Sequence, residues 1–227
     1  MNANPERRRG RPSAKKTKLN RERILAATLR LVDRHGVEAL SMRRLARALG
    51  VDAMAIYHHI PGRAALLEGL VERVFHEFGM PATPRSSWRA TVRAFARSYL
   101  TLVRHHPRLA LHLVTHFEAA GDALLPAHEA LYAALAAAGL PPRRMVAAAD
   151  ALVDYLNGVA LMCAPGQRRL GQPAARPASA LFARARSAYP TLSKVFRREN
   201  RDVNARIDAA LRVVLDGIAA GTTRRTA

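Results

Sequence analysis

From Leu19 to Gly62 the chain opens a segment three times in the same way. A polar residue suited to cap a helix, Asn20, Ser41 or Asp52, follows an apolar residue and precedes another by four places: Leu19 with Ile24, Leu40 with Leu45, Val51 with Ile56. This is the spacing of the hydrophobic staple, which fixes the angle at which a chain enters a helix. Gly36 and Gly50 supply stops. The pattern predicts a first helix from Asn20 to Gly36, with Ile24, Leu25, Ala27, Leu31 and Val32 on its apolar side. A second runs from Ser41 through Leu45, Ala46 and Leu49 to Gly50, and a third is opened by Asp52 and passes through Ile56 and Ile60. At about eight residues each, the second and third are too short to persist alone, so tertiary packing must hold them. Two short crossed helices packed on a longer one make a helix-turn-helix.

The third helix has two distinct sides. At 100° per residue Ile56 and Ile60 share the inward face, Met54 and His58 point most nearly away from it, and Ala55 and Tyr57 flank them. An ordinary piece of core does not account for an outward Met-His-His surface, whereas a helix of this size fits a DNA major groove.

Charge supports a polyanionic partner. The formal net charge is +20, and residues 1–63 carry 15 Lys or Arg against 5 Asp or Glu. The first residues, "ERRRGRPSAKKTK", lack apolar periodicity and read as a disordered basic arm over residues 1–18. Within it Arg9-Gly10-Arg11-Pro12 resembles the core of an AT-hook, in which Arg9 and Arg11 would enter an A/T minor groove; diffuse attraction to phosphates and a solubilising role are the alternatives. No apolar run follows the basic N-terminus. The most apolar later stretch, Met145 to Ala164, is broken by Asp150, Asp154 and Asn157, so a soluble cytoplasmic protein without a membrane partner is expected. The single cysteine, Cys163, excludes an internal disulfide framework and reads as a small core residue.

The segment "RILAATLRLVDRHGVEALSMRRLARALGVDAMAIYHHIPGRAALL" resembles the TetR family of bacterial transcription regulators. The resemblance rests on the apolar positions, Gly36, Ser41, the Leu-Ala-x-x-Leu-Gly-Val turn, the Tyr-x-His of the third helix and the basic residue opening the fourth. It implies that Arg43 reaches a base or a phosphate, that Tyr57, His59 and Arg63 hold phosphates, and that Met54, Ala55 and His58 face base edges. Ser41, Met42 and Ala53 complete the expected DNA-facing set. Ala53, Met54 and Ala55 offer no hydrogen bond where the tetracycline repressors have polar side chains. Readout is therefore expected to lean on thymine methyl contacts, Arg43 and His58.

Residues 64–220 look helical throughout, with expected segments at 63–79, 86–106, 107–119, 122–138, 142–164, 178–188, 191–199 and 203–220. The stretch 164–179 reads as a loop. The expected organisation is all-α: the arm 1–18, a helix-turn-helix domain 19–65, a helical effector-binding and dimerisation domain 66–220, and a flexible tail 221–227. Ile207, Leu211, Val214 and Ile218 recur at heptad-like spacing, and Val146, Val153 and Leu156 stand among alanines on the 142–164 helix. From spacing alone these are either core stripes or a partner surface. The family resemblance implies a homodimer, formed by a four-helix bundle of these two helices from each chain, facing an inverted-repeat operator.

The same resemblance places Phe75, Phe78, Phe95, Tyr99, His112, His116, Phe117, Tyr132 and Tyr155 on the helices that enclose an effector cavity; each taken singly reads more readily as core. His112 and His116 have the spacing of paired zinc ligands but lack a third ligand at characteristic spacing, so neither a metal nor another cofactor is expected. No phosphate-binding glycine loop, Gly-x-Ser-x-Gly or metalloenzyme motif is present, so no enzyme is expected. The sequence thus points to a DNA-binding regulator released by a small, mainly apolar or aromatic molecule. The alternative is an architectural nucleic-acid-binding protein with no effector.

Overall fold

The computed structural model describes residues 18–83, 85–162, 189–191, 194 and 203–223. Every regular element among them is helical: α1 (Arg21–His35), α2 (Met42–Leu49), α3 (Ala53–Tyr57), α4 (Arg63–Glu77), α5 (Trp88–His105), α6 (Pro107–Thr115), a 3-10 segment (Phe117–Leu124), α7 (Leu125–Ala137), α8 (Pro142–Met162) and α9 (Val203–Thr223). The expected all-α fold is what is found. Arg9, Arg11, Cys163, the loop at 164–179 and the helix at 178–188 lie outside the described residues, as do residues 224–227 and most of 191–199.

The three caps act as their positions predict. The side chain of Asn20 accepts from the backbone N–H of Arg23 at 2.8 Å, Ser41 from Arg44 at 3.2 Å and Asp52 from Met54 at 2.7 Å. Each satisfies an N–H that the first turn leaves without a helical partner. Gly50 closes α2 in the left-handed region at φ 68°, ψ 36°, which turns the chain into α3. The third helix is shorter than expected, five residues instead of about eight, with His58 and His59 in the turn that follows. Backbone bonds from His58 to Met54 (3.2 Å) and from Ile60 to Ile56 (2.9 Å) keep the helical register through that turn, so Met54 and His58 still share a side.

The second departure lies after α6. One helix was expected from 107 to 119 and another from 122. Instead α6 stops at Thr115, His116 leaves helical geometry at φ −141°, ψ 65°, and the 3-10 segment bends at Gly121, whose φ is +54°. A positive φ is costly for any residue but glycine, so Gly121 marks the kink.

Two apolar clusters hold the helices together. The first joins Ile24, Val32, Leu45, Ile56, Leu66 and Leu70 of α1–α4 to Leu109 and Leu113 of α6, and is continuous across the expected boundary at 65 and 66. The second is built from Val92 and Phe95 of α5, Leu131 and Leu135 of α7, Leu152 and Leu156 of α8 and Leu215 of α9. Each fully buried aliphatic side chain stabilises the fold by about 1.5–3 kcal/mol relative to an exposed one. The heptad-like set on α9 resolves mainly as core: Ile207, Leu211 and Ile218 are buried within the chain and Val214 is half-buried, while Val213 is a large apolar residue exposed on that helix. On α8, Val146, Leu161 and Met162 are exposed and Leu156 is fully buried. By length and composition α8 is apolar enough to cross a membrane; here one side of it packs against α5, α6, α7 and α9.

Candidate nucleic-acid interface

The end of the molecule formed by α2 and α3 presents a mixed cationic and apolar surface. Ile56 and Leu45 are fully buried and lock α3 and α2 to the first cluster. Outward on α2 are Arg43 and, one turn later, Arg47 with Ala48; on α3 and its turn they are Met54, Tyr57, His58 and His59. Met54 is 63% exposed, a large apolar side chain left in water while Ile56, two positions on, is fully buried. Ala53 and Ala55 are half-buried beside it, and Ser41 is exposed while its hydroxyl caps α2. Arg47 was not among the residues expected from sequence, although its spacing of four from Arg43 puts both on one face.

Two members of the expected set behave differently. Met42 is 8% exposed and belongs to the first core cluster, so it faces inward and not towards DNA. It opens α2 from the side that packs on the first cluster, which is the reason it is covered. Arg63 turns back on the protein: its Nη2 donates to the carbonyl of Val37 at 3.1 Å and its Nε to that of Leu40 at 3.4 Å. It thereby fastens the α1–α2 loop to the first turn of α4.

The residues expected to line an effector cavity separate into three groups. Phe95, Tyr99, Tyr132 and Tyr155 lie in or against the second cluster, between α5, α7, α8 and α9. Tyr99 donates its hydroxyl to Asn157 Oδ1 at 2.6 Å, and Tyr155 donates to the carbonyl of Ile207 at 3.2 Å. Burial pushes both phenols above their ordinary pKa, so both remain neutral donors. Phe75 and Phe78 are half-buried, and the Phe78 ring lies 5.2 Å from His105 and 5.6 Å from His106.

The third group is a correction. Phe117 is 55% exposed, and His116 is exposed as well, because α6 ends at Thr115 and the 3-10 segment carries them to the surface. The Phe117 ring meets His128 edge-on at 5.5 Å, and His128 in turn meets Phe95 at 6.3 Å. His112 is buried, but it looks towards the α1–α2 loop: it lines a cleft of about 300 Å3 with Gly36, Glu38, Arg108, Leu111 and Thr115. Its ring stacks on that of His116 at 4.6 Å. Among the described residues no group of three or more His, Cys, Asp or Glu is arranged to hold a metal ion.

Two contacts between α6 and the α1–α2 region were not legible in the sequence. His106, at the junction of α5 and α6, places Nδ1 2.8 Å from Asp33 Oδ1 of α1, and His112 Nδ1 stands 3.4 Å from Glu38 Oε1. The partners are 73 and 74 positions apart in the chain, and no local spacing pairs them.

Comparison with known proteins supplies the family. Residues 24–70 match the family described as bacterial regulatory proteins, tetR family, and residues 80–222 match the tetracyclin repressor-like C-terminal domain. An HTH-type transcriptional regulator of Saccharopolyspora erythraea is 33% identical over 209 residues, covering 92% of this chain and 88% of that protein. A TetR transcriptional regulator from Streptomyces coelicolor superposes with a TM-score of 0.73 at 29% identity, covering 89% of this chain and 99% of that one. ActR of the same organism, in complex with actinorhodin, gives a TM-score of 0.65 at 25% identity over 92% of this chain and 100% of that one. With a helix-turn-helix formed by α2 and α3, both halves matched and a relative aligned along nearly the whole length, the chain belongs to the TetR family of DNA-binding transcriptional regulators, which are not enzymes.

Proposed function

We propose that this regulator is a cytoplasmic repressor that binds an inverted-repeat operator as a homodimer and is released by a small, mainly apolar or aromatic molecule. The observation that carries the reading is the exposed surface of Arg43, Arg47, Met54, Tyr57, His58 and His59 on a helix pair whose opposite face is fully buried. Met54 suits the thymine methyl group, Arg43 suits the acceptor edge of guanine, and Tyr57 and His59 suit phosphates. The arm 1–18 adds cations whose pull on phosphates weakens with salt. Division of labour at about residue 65, with DNA on one side and effector and dimer contacts on the other, belongs to the same proposal.

Dimerisation is supported by the unpartnered apolar residues Val146, Leu161 and Met162 of α8 and Val213 of α9, on the two helices that build the family's bundle. Ligand control is supported by the likeness to ActR, whose structure holds actinorhodin, and by the aromatic and phenolic side chains of Phe95, Tyr99, Tyr132 and Tyr155 around the second cluster. Release follows from linkage: a molecule that prefers a conformer with mis-spaced reading heads weakens operator binding by the same factor. The test is selection of duplexes from a random pool, followed by footprinting at near-physiological salt. A discrete two-fold symmetric footprint, lost on addition of a polycyclic aromatic ligand, is the expected result. Continuous protection without sequence preference would instead fit an architectural DNA-binding protein.

A further inference from the structure

The loop Val37–Leu40 is gripped from two sides. From α4, Arg63 donates to the carbonyls of Val37 and Leu40. From α6, His112 approaches the carboxylate of Glu38. The loop runs directly into Ser41, the cap of α2, and Arg43 lies in the first turn beyond it. Whatever displaces residues 37–40 therefore displaces the helix that carries Arg43.

His112 is the unfinished part of this joint. It is 9% exposed, yet neither ring nitrogen has a hydrogen-bond partner, since Glu38 Oε1 at 3.4 Å lies near Nδ1 without completing the bond. A buried polar group left in this way is destabilising and calls for an explanation. The cleft lined by His112 and Glu38 leaves room for the contact to close. Gly36 borders it at φ +84°, and a Cβ there would come within 2.9 Å of Glu38 Oε2, so the backbone leaves the carboxylate its place.

We infer that Glu38 and His112 form a direct coupling contact from α6 to the reading head, open while the imidazole is neutral and closed when it is protonated. The inference rests on α2 and α3 being the reading head and is independent of which small molecule, if any, releases the operator. His106 serves as the fixed pivot: the Asp33 carboxylate only accepts, so His106 Nδ1 carries a hydrogen whether or not the ring is charged.

The charged surroundings set the direction. His112 faces Glu38 from the loop, Arg108 from α6, His116 from just beyond the end of α6 and Arg63 from α4, and Arg108 also acts on His35 together with Arg34 and Arg44. Burial, then His116, hold the His112 pKa below the ordinary imidazole value against the pull of Glu38. Glu38, stabilised first by a backbone hydrogen bond and then by His112, stays below the ordinary carboxylate value. At pH 7.5 the ring is neutral and the contact open. Acidification below the lowered imidazole value charges the ring while Glu38, held below the ordinary carboxylate value, remains ionised, and the pair becomes charge-assisted. Because the folded-state pKa is lowered, the ring's contribution to stability is intact above its unfolded value and declines as pH falls; without Glu38 the decline is steeper.

The experiment compares wild type, E38Q, H112Q and the double variant. NMR titration of the His112 ring in the free protein is expected to show a lower midpoint in E38Q. Affinity for a duplex selected by the wild-type protein is expected to show coupling between positions 38 and 112 of about threefold or more at a pH below the His112 midpoint recorded by NMR, collapsing towards unity at pH 7.5. Effects of pH on groups away from this contact are common to all four proteins and cancel in the cycle. An unmoved His112 midpoint in E38Q, or equal coupling at both pH values, would overturn the inference. Should H112Q fail to fold, the midpoint in E38Q decides alone. Should no duplex be selected, the repressor reading fails, while the titration still decides the contact.

Discussion

The Arg63 guanidinium donates to the carbonyl of Val37 at 3.1 Å, joining the first turn of α4 to the loop that delivers α2. Its second bond, to Leu40, makes a fork that a single ammonium cannot reproduce. Arg63→Ala is expected to cost about 1 kcal/mol of stability, since water can replace part of each bond at this partly exposed site. Arg63→Lys should recover little of it. Urea melts report the cost, and duplex binding should weaken for all sequences alike. Unchanged stability would mean that the two bonds contribute nothing and would favour phosphate contact as the whole role of Arg63.

Variants of Arg43 and Tyr57 are expected to separate specificity from affinity. Arg43→Ala should cost about 1–3 kcal/mol on a selected operator if the guanidinium is bidentate to guanine, with little change on random duplex. Tyr57→Phe removes one hydroxyl and should weaken all duplexes similarly. A changed base preference in Tyr57→Phe would contradict its assignment to phosphate.

The turn between α2 and α3 depends on one glycine and one cap. Gly50 sits at φ +68° with nothing within 4 Å of a prospective Cβ, so Gly50→Ala has a purely conformational cost, about 1–2 kcal/mol. Asp52→Ala removes the bond to the Met54 N–H and should cost about 1 kcal/mol. Thermal melts should show both losses, and the double variant should be less than additive because both act on the same turn.

Tyr99→Phe deletes the bond to Asn157 and leaves a polar oxygen without its phenolic donor. Stability should fall by about 1 kcal/mol, operator affinity should hold, and the ligand concentration needed for release should change. In the wild-type protein the Tyr99 phenol should resist ionisation through the range in which free tyrosine titrates, as ultraviolet difference spectra at alkaline pH would record.

Val213 is 73% exposed on α9, so Val213→Asp should leave the folded chain as stable as before. If this face is the dimer contact, the charge should convert a dimer into a monomer at micromolar concentration in sedimentation or light scattering, and operator affinity should collapse with it. A dimer that survives places the interface elsewhere.

Much of the reading head was legible in the order of residues, because its determinants are local. Caps at Asn20, Ser41 and Asp52, the staple pairs and the glycine at 50 act over four or five positions, and the helix period assigns Ile56 inward and Met54 outward before any fold is known. The same local rules were insufficient beyond α6. Whether Ile207, Leu211 and Ile218 meet a partner or their own chain is a question of which surface arrives first, and periodicity is identical in both cases. Met42 lies at the start of a helix whose apolar side only packing identifies. The pairing of Asp33 with His106, the approach of Glu38 to His112, and the turning of Arg63 onto the α1–α2 loop each bring together residues 23 to 74 positions apart. Such contacts exist only after the chain has paid the entropy of closing its loops, so the tertiary structure decides them, and with them the joint between α6 and the reading head.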